Sequence, residues 1–254
     1  MILAVDVGNT QTVLGLIAGE ELGGHWRVST DASLTADELR IKIGGLLSAD
    51  GRSWSDVDRL IVSSVVPSLT LAYEEVARRA TGSAPMVVGP GLKTGMVIRY
   101  DNPHEVGADR IVNGVAAYRL YGGPVIMVDF GTATTIDVVS EDGAYLGGAI
   151  APGVETSAEA LVSRAARLTS VDLEPPDRVI GTNTRASLQA GLLLGEAARV
   201  DGLVRRAWAE LGRETRVVAT GGLASLMAPL CETISDVDAD LTLRGLAMIY
   251  ALNA

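Results

Sequence analysis

The sequence has very little of the residue types that build disulfide frameworks and transition-metal sites. Its 254 residues include one cysteine, Cys231, and two histidines, His25 and His104. A single cysteine cannot form an internal disulfide, and neither histidine lies in a cluster with metal-ligand spacing. We therefore expect neither a disulfide scaffold nor a metal centre of histidine and cysteine.

Aromatic residues are also scarce, at 4% of the chain with a single phenylalanine. The core must therefore be built from Val, Leu, Ile and Ala, which are plentiful. The 29 glycines indicate many tight turns or close backbone contacts. The length fits one large domain or two small ones.

Clustered basic residues and long apolar runs are both missing. The net charge is −10, and basic residues form no run longer than a pair such as Arg78-Arg79. Binding to a nucleic-acid backbone needs clustered Lys and Arg, so no nucleic-acid partner is expected. No apolar run reaches the ~18 residues of a membrane span. The N-terminal segment lacks the cationic region of a signal peptide, and Asp6 would fall inside its apolar core. We expect no membrane partner and a cytoplasmic location.

Hydrophobic periodicity predicts strands and helices in an order that is typical of an α/β fold with mixed sheets. The predicted strands include Ile2–Asp6, Thr12–Ile17, His25–Ser29, Arg59–Val66, Met86–Val88, Ala144–Ile150 and Thr215–Thr220. The predicted helices are Thr35–Leu47, Ser68–Ala80, Gly107–Tyr121, a segment from Val154, Arg185–Leu211 and Leu241–Leu252.

One pattern occurs twice. The stretch ILAVDVGNTQTVLGLI and the stretch PVIMVDFGTATTIDVVS each contain an apolar run, Asp-x-Gly, small polar residues and an alternating strand. Their aspartates, Asp6 and Asp129, lie 123 positions apart, close to half the chain. The repeat predicts two halves, residues 1–121 and 122–254, with a cleft between them.

The chemistry of these turns fits phosphate binding. A strand that ends on Asp exposes a carboxylate at the sheet edge, and Gly8 lets the backbone approach an oxyanion. Asn9, Thr10 and Thr12 add short donors. Asp6 would repel phosphate unless a cation lay between them, so it is a candidate Mg²⁺ partner, directly or through water. The alternative is a hairpin turn with no other role, but two copies half a chain apart favour function.

Two other phosphate-binding motifs are missing. GPGLKT has Leu92 where a P-loop has glycine, and no GxGxxG opens a helix. A third element, VVATGGLAS (Val217–Ser225), ends a buried strand on two glycines, which suits a nucleotide against bare backbone.

Together, the two hairpins and the strand–GG–helix element resemble the superfamily of actin, sugar kinases and heat-shock ATPases, with its duplicated actin-like (ribonuclease H-like) halves. Within it the chain resembles the type III pantothenate kinases, with GADR after NPHEVG the most discriminating motif. The matching segments are Asp6–Gly15, Asn102–Tyr118, Val128–Val139, Gly147–Val154 and Gly181–Gly195. Leu168-Thr169 and Leu194 depart from the family pattern.

The resemblance implies ATP-dependent phosphorylation of pantothenate to 4′-phosphopantothenate, the first step toward coenzyme A. It implies a homodimer that needs Mg²⁺ and a monovalent cation, K⁺ or NH₄⁺. Asp109 would be the catalytic base and Asp129 the monovalent-cation ligand. The implied ATP-binding residues are Asp6, Val7, Gly8, Asn9, Thr10, Gln11, Thr12, Val13 and Thr132. The implied pantothenate-binding residues are Tyr100, Gly107, Ala108, Asp109, Arg110 and Thr184, with Thr184 contributed across the dimer interface.

Several of these residues also have structural explanations. Asp109 falls in the first turn of a helix, where the dipole favours an acid. Arg110 could pair with Glu105, Tyr100 could be packing, and Thr184 could cap the helix that follows it.

Two other functions compete with the kinase. A non-catalytic regulator similar to the Bvg accessory factor would use the same fold, but it would tolerate loss of Asp6, Asp109 or Asp129, which are all present. A ROK-type sugar kinase carries a cysteine-rich zinc motif, which one cysteine cannot provide.

Overall fold

A computed structural model of the protein describes residues 1–19, 21–164 and 171–254, so Leu168-Thr169 lies outside the described residues. The described residues form two units. Unit 1 contains Met1–Met96, Asp101–Ala116 and Asp240–Ala254, and unit 2 contains Val97–Tyr100 and Ala117–Ala239.

Unit 1 is built on a five-stranded sheet with the order β3-β2-β1-β4-β5. Strands β1 and β2 and strands β2 and β3 pair antiparallel, whereas β4 is parallel to β1 and to β5. The strands are β1 (Ile2–Val7), β2 (Gln11–Ala18), β3 (Glu21–Ser29), β4 (Arg59–Ser64) and β5 (Met86–Val87). The helices of this part of the chain are α1 (Ala36–Ala49), α2 (Pro67–Thr81), the start of α3 (Ala108–Tyr121) and α8 (Leu241–Asn253).

Unit 2 is built on a six-stranded sheet with the order β11-β10-β7-β8-β9-β6. Its strands are β6 (Val97–Ile98), β7 (Val125–Phe130), β8 (Ala133–Val139), β9 (Ala144–Pro152), β10 (Arg216–Thr220) and β11 (Asp236–Val237). Its helices include α4 (Val154–Arg164), α5 (Thr184–Gln189), α6 (Gly195–Leu211) and α7 (Ala224–Met227).

The two sheets repeat one topology, which confirms the predicted duplication and the mixed sheets. In unit 2 the strands β9-β8-β7-β10-β11 follow the order of β3-β2-β1-β4-β5 in unit 1, with the same parallel and antiparallel pairings. The aspartates occupy equivalent places. Asp6 is paired with Val13 and Ser63, and Asp129 is paired with Thr135 and Thr220.

The apolar run of β1 is continuous because both of its faces are covered. Leu3 and Val5 belong to a core that contains residues of α1 and α2, while Ala4 belongs to a second core that contains Val112 of α3 and Leu246 of α8. A strand covered on both faces shows a run of apolar residues rather than alternation. In unit 2 one face of β7 packs in a similar core with α6.

The units are divided differently from the single predicted boundary between residues 121 and 122. The last helix, α8, belongs to unit 1, and the four residues Val97–Tyr100 belong to unit 2. The reason is packing: α8 covers the Ala4 face of the first sheet, and β6 extends the second sheet beside β9. Sequence order alone cannot indicate such long-range contacts.

Two local features also differ from the sequence-based predictions. The predicted helix Arg185–Leu211 is interrupted by a π-helical turn at Ala190–Leu194, so it consists of α5, this turn and α6. The strands β6 and β11 have two residues each and have no counterpart among the predicted strands. A 3-10 turn at Pro103–Glu105 contains the exposed His104.

Within the same described ranges, no helix combines the length and apolar character that a membrane crossing requires.

Close helix packing in unit 1 can be tested at Gly245. A Cβ there would lie 2.3 Å from the backbone oxygen of Val112, so we expect Gly245→Ala to lower the free energy of unfolding by about 1–3 kcal/mol. Gly45 lies inside α1, and a Cβ added to it would have nothing within 4 Å, so Gly45→Ala should raise it by about 0.5–1 kcal/mol. Urea titrations of both variants measure the difference, and equal effects would contradict the packing.

Candidate active site

The first hairpin closes tightly at Gly8. The Gly8 N–H donates to the Gln11 carbonyl at 3.0 Å, and a Cβ at Gly8 would lie 2.9 Å from that oxygen. The turn between the strands therefore consists of Asn9 and Thr10, and both are exposed. Asp6 is half-buried near the end of β1. This arrangement leaves two small polar residues at the tip of a rigid hairpin.

Thr30 holds this hairpin in place through three hydrogen bonds, although no sequence motif singles it out. Its hydroxyl donates to the Gly8 carbonyl at 2.8 Å and lies 2.8 Å from the hydroxyl of Thr12, which is buried. Its N–H donates to the Thr10 carbonyl at 2.9 Å. Thr12 therefore has a structural partner inside the hairpin. The only sequence signal for Thr30 is its position directly after β3, and it becomes meaningful once the strand register is known.

Asp109 lies in the first turn of α3, as predicted, and Arg110 beside it is buried. The backbone N–H of Arg110 donates to Asp109 Oδ1 at 2.8 Å, which holds the carboxylate against the start of the helix. A Cβ at Gly107 would lie 2.5 Å from the same oxygen, so only glycine accommodates this position without displacement.

The loop before α3 is held by its own side chains. The side-chain amide of Asn102 donates to Glu105 Oε1 at 2.7 Å, and Asn102 Oδ1 accepts from the His104 N–H at 3.3 Å. This loop leads directly into Gly107 and the carboxylate of Asp109. The Asn-Pro pair has a structural role in this loop, because Asn102 caps the short 3-10 turn and Pro103 is its first residue.

In unit 2 Asp129 lies against a bare backbone. Gly221 follows β10 with φ of +93°, and a Cβ there would lie 2.3 Å from Asp129 Oδ1 and 2.7 Å from the Phe130 carbonyl. The Leu223 N–H donates to that carbonyl at 3.1 Å. The two-glycine turn predicted as a nucleotide element therefore folds over the end of β7, beside Asp129.

Thr132 is exposed in the second hairpin, and its backbone is held from α4. The Thr132 carbonyl accepts from the Gly153 N–H at 3.0 Å and from the Thr156 hydroxyl at 2.7 Å. A Cβ at Gly153 would lie 2.2 Å from the Gly131 carbonyl. Gly153 falls in the segment singled out in the sequence, whereas Thr156 gave no signal.

Tyr100 and Thr184 also belong to unit 2. Tyr100 is half-buried and its ring centroid lies 6.3 Å from that of Tyr145. Thr184 is exposed and is the first residue of α5. The prediction that Thr184 caps this helix is wrong, because the Asn183 side chain accepts from the Ala186 N–H at 2.9 Å instead.

Nucleophilic and metal chemistry have few candidates outside these residues. Cys231 is half-buried, and burial together with Asp201 and Glu196 raises the pKa of its thiol to about 12, which keeps it neutral at pH 7. Within the ranges that the structure describes, no three His, Cys, Asp or Glu side chains gather into a metal-binding group. The metal roles of Asp6 and Asp129 stay predictions.

Sequence comparison provides the decisive observation. The family model for type III pantothenate kinase matches residues 2–206. The type III pantothenate kinase of Moorella thermoacetica is 52% identical over 253 residues, and the alignment covers 100% of both chains. This chain belongs to the type III pantothenate kinase family. It is an enzyme of that family, and the match includes the positions of Asp6, Tyr100, Asp109, Asp129 and Thr184.

Solved structures agree on the fold. A Baf family transcriptional activator candidate of Campylobacter jejuni has a TM-score of 0.61 at 20% identity, with 99% of this chain and 98% of that chain covered. The ROK hexokinase of Thermus thermophilus has a TM-score of 0.55 at 14% identity, with 100% and 99% covered. These likenesses show the fold alone, an α/β fold with two mixed sheets.

The close approach at Gly221 can be tested in this family member. We expect Gly221→Ala to lower the free energy of unfolding because of the positive φ and also because the new Cβ displaces Asp129 or Phe130. Gly212, with φ of +73° and open space around it, is the matched control, and Gly212→Ala should cost only the conformational part, about 1 kcal/mol. Denaturant unfolding measures both, and an equal loss in the two variants would contradict a packed Asp129.

Proposed function

We propose that this protein transfers the terminal phosphoryl group of ATP to pantothenate and forms 4′-phosphopantothenate, the first step of coenzyme A biosynthesis. The observation that carries the proposal is the 52% identity to the Moorella thermoacetica type III pantothenate kinase over the whole of both chains. The geometry of the two hairpins and of the start of α3 supports the individual roles.

In unit 1 we assign ATP binding to the first hairpin, residues 6–13. Gly8 keeps the backbone open, because a Cβ there would lie 2.9 Å from the Gln11 carbonyl. Asn9, Thr10 and Gln11 are exposed and can donate to phosphate oxygens. The Asp6 carboxylate is a hard oxygen ligand of the kind that Mg²⁺ prefers. Mg²⁺ that arrives with ATP would neutralise phosphate charge, and Asp6 would hold it directly or through water.

Asp109 is the proposed catalytic base. Phosphoryl transfer passes through a loose transition state, in which alignment of the attacking hydroxyl matters more than a strong base. The backbone N–H of Arg110 holds one oxygen of Asp109, so the carboxylate has a defined direction in which to accept the hydroxyl proton. The planar guanidinium of Arg110 suits the carboxylate of pantothenate or the charge on the transferred group.

The other proposed substrate contacts are Tyr100, Gly107, Ala108 and Thr184. Gly107 and Ala108 present backbone at the start of α3, where N–H groups favour an anion. In unit 2 we assign the monovalent cation, K⁺ or NH₄⁺, to Asp129 and an ATP contact to Thr132. The residues fit a weakly charged cation, since one carboxylate lies beside the backbone of Gly221 and Phe130. A cation there would supply positive charge for the nucleotide phosphates.

We also propose that the enzyme is a homodimer in the cytoplasm, with Thr184 acting in the active site of the partner subunit. Thr184 is exposed, and its side chain is not the cap of α5. Its hydroxyl therefore does not serve the helix start, which supports a role toward a ligand.

The catalytic role can be tested with Asp109→Asn. We expect turnover to fall by about 100-fold or more, the usual contribution of a positioned base, with ATP binding retained. The matched control is Asp37→Asn, which removes another acid from the first turn of a helix in unit 1, α1. Its turnover should stay at the native level. The assay is ATP-dependent phosphorylation of pantothenate, in K⁺ and in Na⁺ buffer.

Each outcome of that assay is informative. Full turnover in Asp109→Asn would remove Asp109 from the base role, and equal native rates in K⁺ and Na⁺ would contradict the monovalent-cation site. If folded native protein transferred no phosphate in any buffer, a non-catalytic regulator on this fold would be the better explanation.

The dimeric site can be tested by mixing Thr184→Ala with Asp109→Asn. If Thr184 acts across the interface, a hybrid dimer has one site with both residues intact. Equal mixing with free exchange makes half of the dimers hybrids, so about a quarter of native turnover should return. Mass spectrometry of differently labelled subunits would verify exchange. No recovery after verified exchange would mean that each site is built within one chain.

A further inference from the structure

A buried chain of polar side chains runs along one face of the second sheet. The Tyr145 hydroxyl donates to Asp137 Oδ1 at 2.6 Å, and the Thr135 hydroxyl donates to Asp137 Oδ2 at 2.9 Å. Asp137 is 2% exposed and Tyr145 is fully buried. A buried carboxylate is costly unless it is hydrogen-bonded, and here each oxygen of Asp137 accepts a hydrogen bond from a hydroxyl group.

A β-bulge creates the arrangement. Strands β8 and β9 pair regularly from Ala133↔Pro152 to Val138↔Gly147, and then the register shifts so that Val139 lies opposite Tyr145. Without the shift Leu146 would occupy that place. The bulge therefore turns Tyr145 onto the face of Asp137 and leaves Leu146 partly exposed. Bulges of this kind re-aim side chains beside functional sites.

The re-aimed tyrosine supports Tyr100. The rings of Tyr100 and Tyr145 pack at 6.3 Å between centroids with planes tilted by 51°. On another side, Gly147 has φ of +117°, and a Cβ there would lie 3.1 Å from the Tyr100 ring. Tyr100 follows the short strand β6, which pairs with β9 at Tyr145. Tyr100 therefore sits against two residues of the bulged segment.

We propose that Tyr145 and Asp137 are positioning residues that hold the Tyr100 ring for the pantothenate site. The proposal rests on the proposed function, in which Tyr100 contacts pantothenate. The Asp137 carboxylate fixes the Tyr145 hydroxyl, the fixed Tyr145 ring sets the tilt of Tyr100, and Gly147 leaves room for it. Thr135 donates to the other oxygen of Asp137 and is paired with Asp129 of the neighbouring strand β7. This row of polar side chains therefore begins on the two central strands of the sheet.

The test variant is Tyr145→Phe, which keeps the ring and removes the hydroxyl. We expect the KM for pantothenate to rise by about three- to tenfold, the size of effect that one ordinary intramolecular hydrogen bond contributes. The KM for ATP should stay unchanged. A Tyr100→Ala variant should raise the same KM, and Tyr145→Phe should add nothing in that background, because its effect passes through Tyr100.

The matched control is Tyr121→Phe. The Tyr121 hydroxyl also donates to a buried carboxylate of unit 2, Asp238, at 3.2 Å. Loss of this hydroxyl should lower the free energy of unfolding about as much as Tyr145→Phe does, and it should leave the KM for pantothenate at the native value. If Tyr145→Phe fails to fold, Thr135→Val removes the other donor to Asp137 and takes its place in the same measurements.

Three results would overturn the proposal. The first is a native KM for pantothenate in Tyr145→Phe, or in Thr135→Val as its substitute, while Tyr100→Ala raises it. The second is an equal rise in the presence and absence of the Tyr100 side chain. The third is a native KM in Tyr100→Ala, which would also remove Tyr100 from the substrate site. Failure of the proposed function would be distinct from these, because the native enzyme itself would then not phosphorylate pantothenate.

Discussion

The structure depends on a central strand that is covered on both faces and has an aspartate as its penultimate residue. Strand β1 has an antiparallel neighbour on one side and a parallel neighbour on the other, and β7 repeats this placement. Both neighbours and both apolar faces fix the strand, so the aspartate near its end has little freedom. The packed apolar interior thus positions an acidic residue at the carboxyl end of a central strand in each sheet.

Glycine has a second structural role beside these carboxylates. At Gly107 and Gly221 a Cβ would lie within 2.5 Å of a carboxylate oxygen, of Asp109 and Asp129 respectively. The backbone therefore approaches each acid more closely than any other residue would permit. Glycine at these two positions therefore leaves room for the carboxylate at its observed place, and any other residue would displace it.

The second sheet departs from the first where it adds β6 and a bulge. The additional strand brings Tyr100 beside β9, and the bulge gives Tyr145 the orientation that meets both Tyr100 and Asp137. The duplicated architecture therefore provides a common frame, and a local irregularity of one strand distinguishes the units. The buried hydrogen bond between Tyr145 and Asp137 restricts the Tyr145 side chain to one orientation.

The sequence by itself determined the α/β class, the repeat of Asp6 and Asp129 and the family, because apolar periodicity and contiguous motifs are local properties of the chain. It also indicated the start of α3 and the two-glycine turn.

Only the tertiary structure decided the parts that depend on contacts between distant segments. Four features depend on such contacts: Thr30 on the first hairpin, Thr156 on the second, α8 in unit 1 and the bulge that brings Tyr145 to Asp137. Asn183 rather than Thr184 caps α5 because side-chain direction at a helix start depends on backbone conformation, which composition does not reveal. A strand register that shifts by one residue changes which side chains share a face, and this shift has no signature in the letters themselves.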